Sequence, residues 1–131
     1  MRYVLTEAQQ AFLDELHYAV IGTLNPDGTI QQTVVWYLRE DNKLRFGIGG
    51  NSIKARNLRQ NPTITVSIVD KTRYLSVSGT AVLEPSDIDL RRRLAARYLG
   101  SERVEEWVSR RPDAPRLSVR VTILRAYGQR V

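Results

Sequence analysis

The sequence of 131 residues contains no cysteine and only one histidine, His17. The first absence removes thiol nucleophiles, disulfides and cysteine-based zinc sites together. The second leaves no pair of imidazoles for a histidine-based metal site within one chain, so no metal is expected. Lysine is scarce: all the basic residues except Lys43, Lys54 and Lys71 are arginine. No run approaches the ~20 apolar residues that cross a bilayer, and Met1-Arg2-Tyr3-Val4-Leu5-Thr6-Glu7 lacks the apolar segment of a secretory signal. A cytoplasmic location without membrane contact is the expectation. No repeat, low-complexity stretch or linker divides the chain, and domains usually run ~100–200 residues, so residues 1–131 are expected to form a single domain. The apolar fraction of 42% suffices for a core.

What is present in excess is positive charge. Twenty basic residues face fourteen acidic ones, a net charge of +6. Such a balance suits an anionic partner: nucleic acid, a phosphorylated cofactor or an acidic substrate. Nucleic acid is not expected, because the strands lack the interleaved aromatics on which single-stranded bases stack. The run Arg91-Arg92-Arg93 with Arg97 reads as a solvated helix face, or as an attractor for a polyanionic cofactor tail or a carboxylated substrate. Glu105 and Glu106, adjacent in sequence, diverge on a helix and read as surface.

The order of elements follows from local signals. Thr6-Glu7-Ala8-Gln9 fits a capping box, opening a helix with Phe12, Leu13 and Leu16 on its apolar side and ending near His17. Tyr18 to Leu24 is an apolar run of strand length, closed by the turn residues Asn25-Pro26-Asp27-Gly28. A second strand runs from Ile30 to Leu38 and a third from Lys43 to Ile48, ending in Gly49-Gly50. Ser52 is a candidate N-cap for a short helix over Ile53 to Arg59, stopped at Asn61-Pro62. Thr63 to Ile68 alternates with period two, and Tyr74 to Leu83 follows after a turn at Asp70-Lys71-Thr72. Helical stretches from Pro85-Ser86 and over Glu102 to Ser109 precede an alternating strand, Leu117 to Ile123. Six short strands close most economically as an antiparallel barrel, which leaves few exposed edges. The lack of regular βαβ alternation argues against a doubly wound nucleotide fold.

The segment Phe46-Gly47-Ile48-Gly49-Gly50-Asn51-Ser52-Ile53-Lys54-Ala55-Arg56-Asn57 carries most of the chemistry. A strand ends in glycines, a hydroxyl stands at a helix start, and a lysine follows two residues later. Free amides and the dipole at a helix N-terminus attract anions, and Lys54 would add a compensating charge. The spacing is not that of a Walker loop. His17, at the end of a helix, is placed to favour the dipole rather than to act as a catalytic acid. Trp36 either faces a ligand ring or packs in the core, and Trp107 reads as a core or interface anchor.

The pattern Ser-x-Lys-x-x-Asn-Leu-x-x-Asn-Pro after a strand and turn resembles the pyridoxamine 5′-phosphate oxidase-like split β-barrel flavoproteins. Asp27-Gly28-Thr29, Gln32-Thr33-Val34-Val35-Trp36-Tyr37, Tyr74 to Ala81 and Arg125-Ala126-Tyr127-Gly128 extend the likeness over most of the chain. It is most similar to the short deazaflavin (coenzyme F420) members, which include biliverdin reductases. The resemblance implies a mainly β fold with flanking helices, a six-stranded antiparallel split β-barrel of the FMN-binding type. It implies a cofactor-binding set of Gln32, Thr33, Val34, Val35 and Trp36 on the second strand, Gly47 and Ile48 at the turn, Ser52, Lys54, Arg56 and Asn57 on the helix, and Tyr74 on the fifth strand. The expected activity is hydride transfer between coenzyme F420 and an unsaturated small-molecule substrate, in a homodimer with the cofactor site at the subunit interface. Alternatives are an FMN-binding flavin reductase or oxidase and a non-catalytic cofactor carrier. No catalytic side chain is singled out, since the cofactor carries the hydride. Two departures bear on FMN: Gln32 and Ile53 stand where the oxidase has arginines. Arg56 or a partner's arginine is therefore expected to supply the missing charge. The oxidase's C-terminal substrate-binding segment has no counterpart in this sequence.

Overall fold

The computed structural model describes residues 3–110 and 115–131. Helix α1 (Glu7–Asp14) opens on the capping box expected at Thr6, with Gln9 reaching back to the Thr6 amide. Strands β1 (Ala19–Leu24), β2 (Ile30–Val35), β3 (Leu38–Glu40) and β4 (Lys43–Gly49) follow, then α2 (Ile53–Gln60). The chain continues through β5 (Thr63–Asp70), β6 (Arg73–Pro85), α3 (Ile88–Leu99), a single 3₁₀ turn, α4 (Val104–Val108) and β7 (Arg116–Gln129). The seven strands are ordered β2-β1-β5-β6-β7-β4-β3, each antiparallel to its neighbours.

The expected six strands are seven because the run Ile30 to Leu38 breaks at Trp36-Tyr37. Its first part pairs with β1 and its second with β4, so the two pieces lie on opposite edges of the sheet. A two-residue link between the edges forces the sheet to curl, which makes the split barrel. The break has a specific cause. The Tyr37 amide donates to the Tyr98 hydroxyl at 3.1 Å, and the Tyr37 carbonyl accepts from the same hydroxyl at 3.2 Å. A side chain from α3 thus satisfies the backbone groups that a buried strand would otherwise pair with a neighbour. Tyr37 itself points into the core, fully buried, and donates its hydroxyl to the Leu13 carbonyl at 2.7 Å.

Other boundaries moved for local reasons. Helix α3 starts at Ile88, not at Pro85-Ser86, because the Asp87 carboxylate accepts from the Asp89 and Leu90 amides and so fixes the cap. Strand β7 runs on to Gln129 because β6 is long enough to pair with it as far as Tyr74. At Ser78/Gly79 the register slips by one residue, and Gly79 lies where a Cβ would collide with the Thr122 carbonyl.

The barrel interior is filled by alternate residues of the strands, among them Ile21, Phe46, Ile48, Val66, Val77, Val121 and Ile123, with Phe12 and Leu13 of α1 across one end. A smaller cluster of Leu38, Leu90 and Leu94, with Trp36 and Tyr98 beside it, seats α3 against the barrel flank. The cleft described next opens at the edge of this smaller cluster. Among the described residues no helix is long and apolar enough to cross a membrane.

Candidate functional site

A cleft of about 360 Å³ lies between the ends of β2, β4 and β7, the start of α2, and the α3–α4 segment. Its volume falls in the ~300–1,000 Å³ range of small-molecule sites. One side is apolar and aromatic: Val34, Val35, Trp36, Leu90, Leu94, Trp107 and Leu117. Trp36 is held by stacking on Tyr98, with ring centroids 5.0 Å apart and planes within 6°, and Trp107 leans on Trp36 at 5.6 Å. Because Tyr98 also secures Tyr37, one α3 side chain sets both the barrel closure and the cleft wall.

The other side is cationic. Lys54, Arg91 and Arg116 line it, and among the described residues no carboxylate does. Burial, with the Arg116 guanidinium nearby, holds the Lys54 ammonium below its ordinary range. Burial and the proximity of Arg91 act on Arg116 in the same direction. The Arg116 guanidinium is near enough to be felt at Lys54, and Arg91 near enough to be felt at Arg116, so the three form one cationic row along the cleft lining. Like charges partly withdrawn from water, with no acid partner among the described residues, raise the free energy of the cleft, which an anion would relieve.

The sequence explains how the row is assembled. Ser52 donates its hydroxyl to the Gly49 carbonyl at 2.7 Å and accepts from the Ala55 amide at 3.2 Å, pinning the turn to the first turn of α2. No intramolecular acceptor takes the Ile53 and Lys54 amides among the described residues, which leaves them free at the start of α2, where Lys54 joins the cleft. Register pairs Gly49 with Arg116 and Gly47 with Ser118. A Cβ on Gly47 would stand 3.2 Å from an Arg116 guanidinium nitrogen, so the missing side chain gives that guanidinium room to lie across β4.

Of the residues expected from sequence, Val34, Val35, Trp36, Gly47, Ile48 and Lys54 come together at this cleft. Ser52 builds its mouth by capping α2. Gln32 and Thr33 precede the cleft on β2; Gln32 is exposed and pairs with Gly22. Arg56 is exposed on α2 and does not line the cleft; the cation beside Lys54 is Arg116 of the same chain. Asn57 is fully buried, its amide donating to Thr23 Oγ1 at 3.1 Å and Asn25 Oδ1 at 2.9 Å. It tethers α2 to the β1–β2 turn. Tyr74 lies on the outer face of β6, away from this chain's cleft.

Arg91, Arg116 and Trp107 were not among the expected cofactor-binding residues. The arginine run does not act as one basic face. Arg92 pairs with Glu105, and Arg93 with Glu40. Arg97 donates to the Leu13, Asp14 and Glu15 carbonyls, finishing the C-terminus of α1. Only Arg91 of the four reaches the cleft, its guanidinium 5.2 Å from the centre of the Trp107 ring. His17 lies elsewhere, against Phe12 with ring centroids 4.6 Å apart and Nε2 3.3 Å from a Glu15 oxygen. Glu15, His17 and Asp70 are grouped, but Arg73 already bridges both carboxylates.

The cleft therefore offers a flat apolar surface next to an anion site, and its lining contains no imidazole, carboxyl or phenol among the described residues. A flat apolar surface and an anion site side by side are chemically suited to a planar group carrying negative charge. Comparisons with known proteins bear on the family and the fold. The chain is 31% identical over 126 residues to the F420H(2)-dependent biliverdin reductase of Mycobacterium tuberculosis, covering 95% of this chain and 88% of that protein. It is 30% identical over 121 residues to the pyridoxine/pyridoxamine 5'-phosphate oxidase of Bacteroides thetaiotaomicron, covering 90% of this chain but half the length of that relative. A solved structure described as an F420 reductase superposes with a TM-score of 0.76 at 25% identity, covering 94% of this chain and 98% of that one. A conserved hypothetical protein of Mycobacterium tuberculosis gives 0.78 at 23%, covering 95% and 84%, a likeness of fold. The family profile described as pyridoxamine 5'-phosphate oxidase matches residues 5–130. On that near-complete match, the chain belongs to the pyridoxamine 5'-phosphate oxidase family.

Proposed function

We propose that this protein is an oxidoreductase that binds coenzyme F420 in the Lys54 cleft and reduces an unsaturated small-molecule acceptor. The observation that carries the reading is the paired cations Lys54 and Arg116 beside open α2 amides, facing an apolar aromatic wall. That combination suits a cofactor with a phosphate at one end and a flat ring at the other. The 88% coverage of the mycobacterial F420H(2)-dependent reductase supports F420 over FMN, because the flavin-family oxidase is matched over only half its length.

When bound, the deazaflavin would supply a hydride. The chain's own residues do the rest by placement. Lys54, Arg116 and the Ile53 and Lys54 amides would hold the phosphate, a set of charge-assisted hydrogen bonds. Trp36, fixed by its stack on Tyr98, would offer the ring a flat apolar contact, and Val35 and Leu117 of the same lining would keep water from it. With no imidazole, carboxyl or phenol among the described lining residues, and Lys54 engaged by the phosphate, the proton that completes reduction of the acceptor would come from solvent.

FMN is the second reading, since its phosphate would be met by the same two cations and the family profile is that of an FMN-type oxidase. A second copy of the chain would complete the site. Val34 lines the cleft and also lies on the outer face of the sheet, where Ile30, Val20, Val69, Tyr74 and Tyr127 stand partly or largely in solvent. The cleft thus opens onto an apolar face that an isologous dimer would cover.

Titration with coenzyme F420 and with FMN, read by tryptophan fluorescence, tests the assignment. F420 is expected to bind more tightly. Lys54→Ala should weaken it roughly ten- to hundredfold, the ~1.5–3 kcal/mol of a charged hydrogen bond. Binding of FMN but not F420 would overturn the cofactor choice, and an unchanged dissociation constant would remove Lys54 from the site. Turnover over a panel of quinones, enones and tetrapyrroles separates an enzyme from a carrier.

A further inference from the structure

The row of three cations holds more charge than one phosphate needs. A phosphoryl group brings at most about two negative charges, and Lys54 with Arg116 answers them at the mouth of α2. Arg91 remains, on α3 in the same cleft lining and over the Trp107 ring, its charge felt at Arg116. Among the described residues it has no carboxylate partner, whereas its neighbours Arg92 and Arg93 both do.

Its side chain is nevertheless held in place. The guanidinium lies over the Trp107 ring at 5.2 Å, and Nη2 donates to the Arg110 carbonyl at 3.3 Å. Nε is buried and has no hydrogen-bond partner among the described residues. A planar, pre-oriented guanidinium with spare donors matches a carboxylate, which it can engage through two parallel bonds. Beside it the wall is aromatic, Trp107 leaning on Trp36. A carboxylate on Arg91 would therefore belong to a ligand whose flat conjugated part lies along those indoles.

We infer that Arg91, stacked on Trp107, is the specificity-determining residue for the electron acceptor and selects planar conjugated carboxylic acids over their neutral counterparts. This rests on the proposed reading only in that the cofactor takes the Lys54 end of the cleft. Arg91 is a recognition group; it exchanges no proton or electron.

Cinnamate and methyl cinnamate are suitable probes, one a planar enoate and the other its neutral ester. Binding of each to the cofactor-free protein is followed by tryptophan fluorescence, and coenzyme F420 is titrated separately. The wild-type protein should prefer the acid at least tenfold. Arg91→Met, which keeps the stem packed on Trp107, should bring the ratio to within twofold of unity while changing F420 affinity less than twofold. Arg91→Lys, which keeps the charge but loses the fork and the stack, should recover part of the preference, which a purely structural effect of the methionine variant would not allow. A ratio that persists in Arg91→Met, or is near unity in the wild type, overturns the inference. So does a loss of F420 affinity in Arg91→Met equal to that in Lys54→Ala, because Arg91 would then serve the cofactor. Failure of the wild type to bind F420 at all would instead count against the cofactor assignment and leave the acid preference measurable.

Discussion

Replacing Tyr98 by Phe removes one oxygen and leaves the ring that stacks on Trp36. That oxygen accepts from the Tyr37 amide at 3.1 Å and shares its proton between the Tyr37 and His17 carbonyls. Tyr37 has no exposed surface, so its N–H cannot turn to solvent when the acceptor is lost. An unsatisfied buried polar group costs about 1–3 kcal/mol. One stranded donor and two carbonyls that lose a shared proton together give a destabilisation of roughly 2–4 kcal/mol. For a domain of this size that is a fall in Tm of roughly 10 °C. Urea denaturation with global fitting of the midpoint and slope measures the change, and Tyr18→Phe is the control. Tyr18 is 62% exposed, packs 5.5 Å from the Tyr98 ring and makes no hydrogen bond through its hydroxyl among the described residues, so its variant should be neutral. A loss below about 0.5 kcal/mol in Tyr98→Phe would refute the claim that this hydroxyl closes the barrel, since exposed substitutions fall within that range.

Two further outcomes are expected. Because the Lys54 ammonium is held below its ordinary range by burial and by Arg116, the free cleft loses this charge as pH rises, before an ordinary lysine would near about 10.4. A bound anion restores the proton, so F420 affinity should fall with rising pH and binding should take up protons in calorimetry. Lys54→Arg should flatten that fall, and an identical decline in the variant would assign it to another group. Val34→Glu places a charge on the outer face where β2 is proposed to meet a second copy. Sedimentation equilibrium should show a dimer for the wild type and monomer for the variant, and a monomeric wild type would dismiss the shared site.

How much of this was legible in the sequence depended on distance along the chain. The Thr6 capping box, the Ser52 cap and the glycine turn before Lys54 depend on residues within a few positions of each other, and each is found where it was expected. The break at Trp36-Tyr37 was hidden because its cause, Tyr98, lies 61 residues downstream. Alternating apolar residues on both sides of the break looked like one continuous strand. Arg116 was missed for a similar reason: only the pairing of β4 with β7 brings it to Gly47 and Lys54. Asn57 fits the family pattern beside Lys54, yet one turn of helix separates a cleft-facing side chain from one facing inward to Thr23 and Asn25.

The dipeptide Trp36-Tyr37 has neighbouring side chains on opposite errands, one indole in the ligand wall and one phenol in the core. A change of binding preference made at the first position is therefore transmitted through a single peptide bond to the seam of the barrel. Any redesign of ring recognition at Trp36 must keep the α3 tyrosine within reach of that peptide, so selectivity and thermal resistance will move together in variants of this wall.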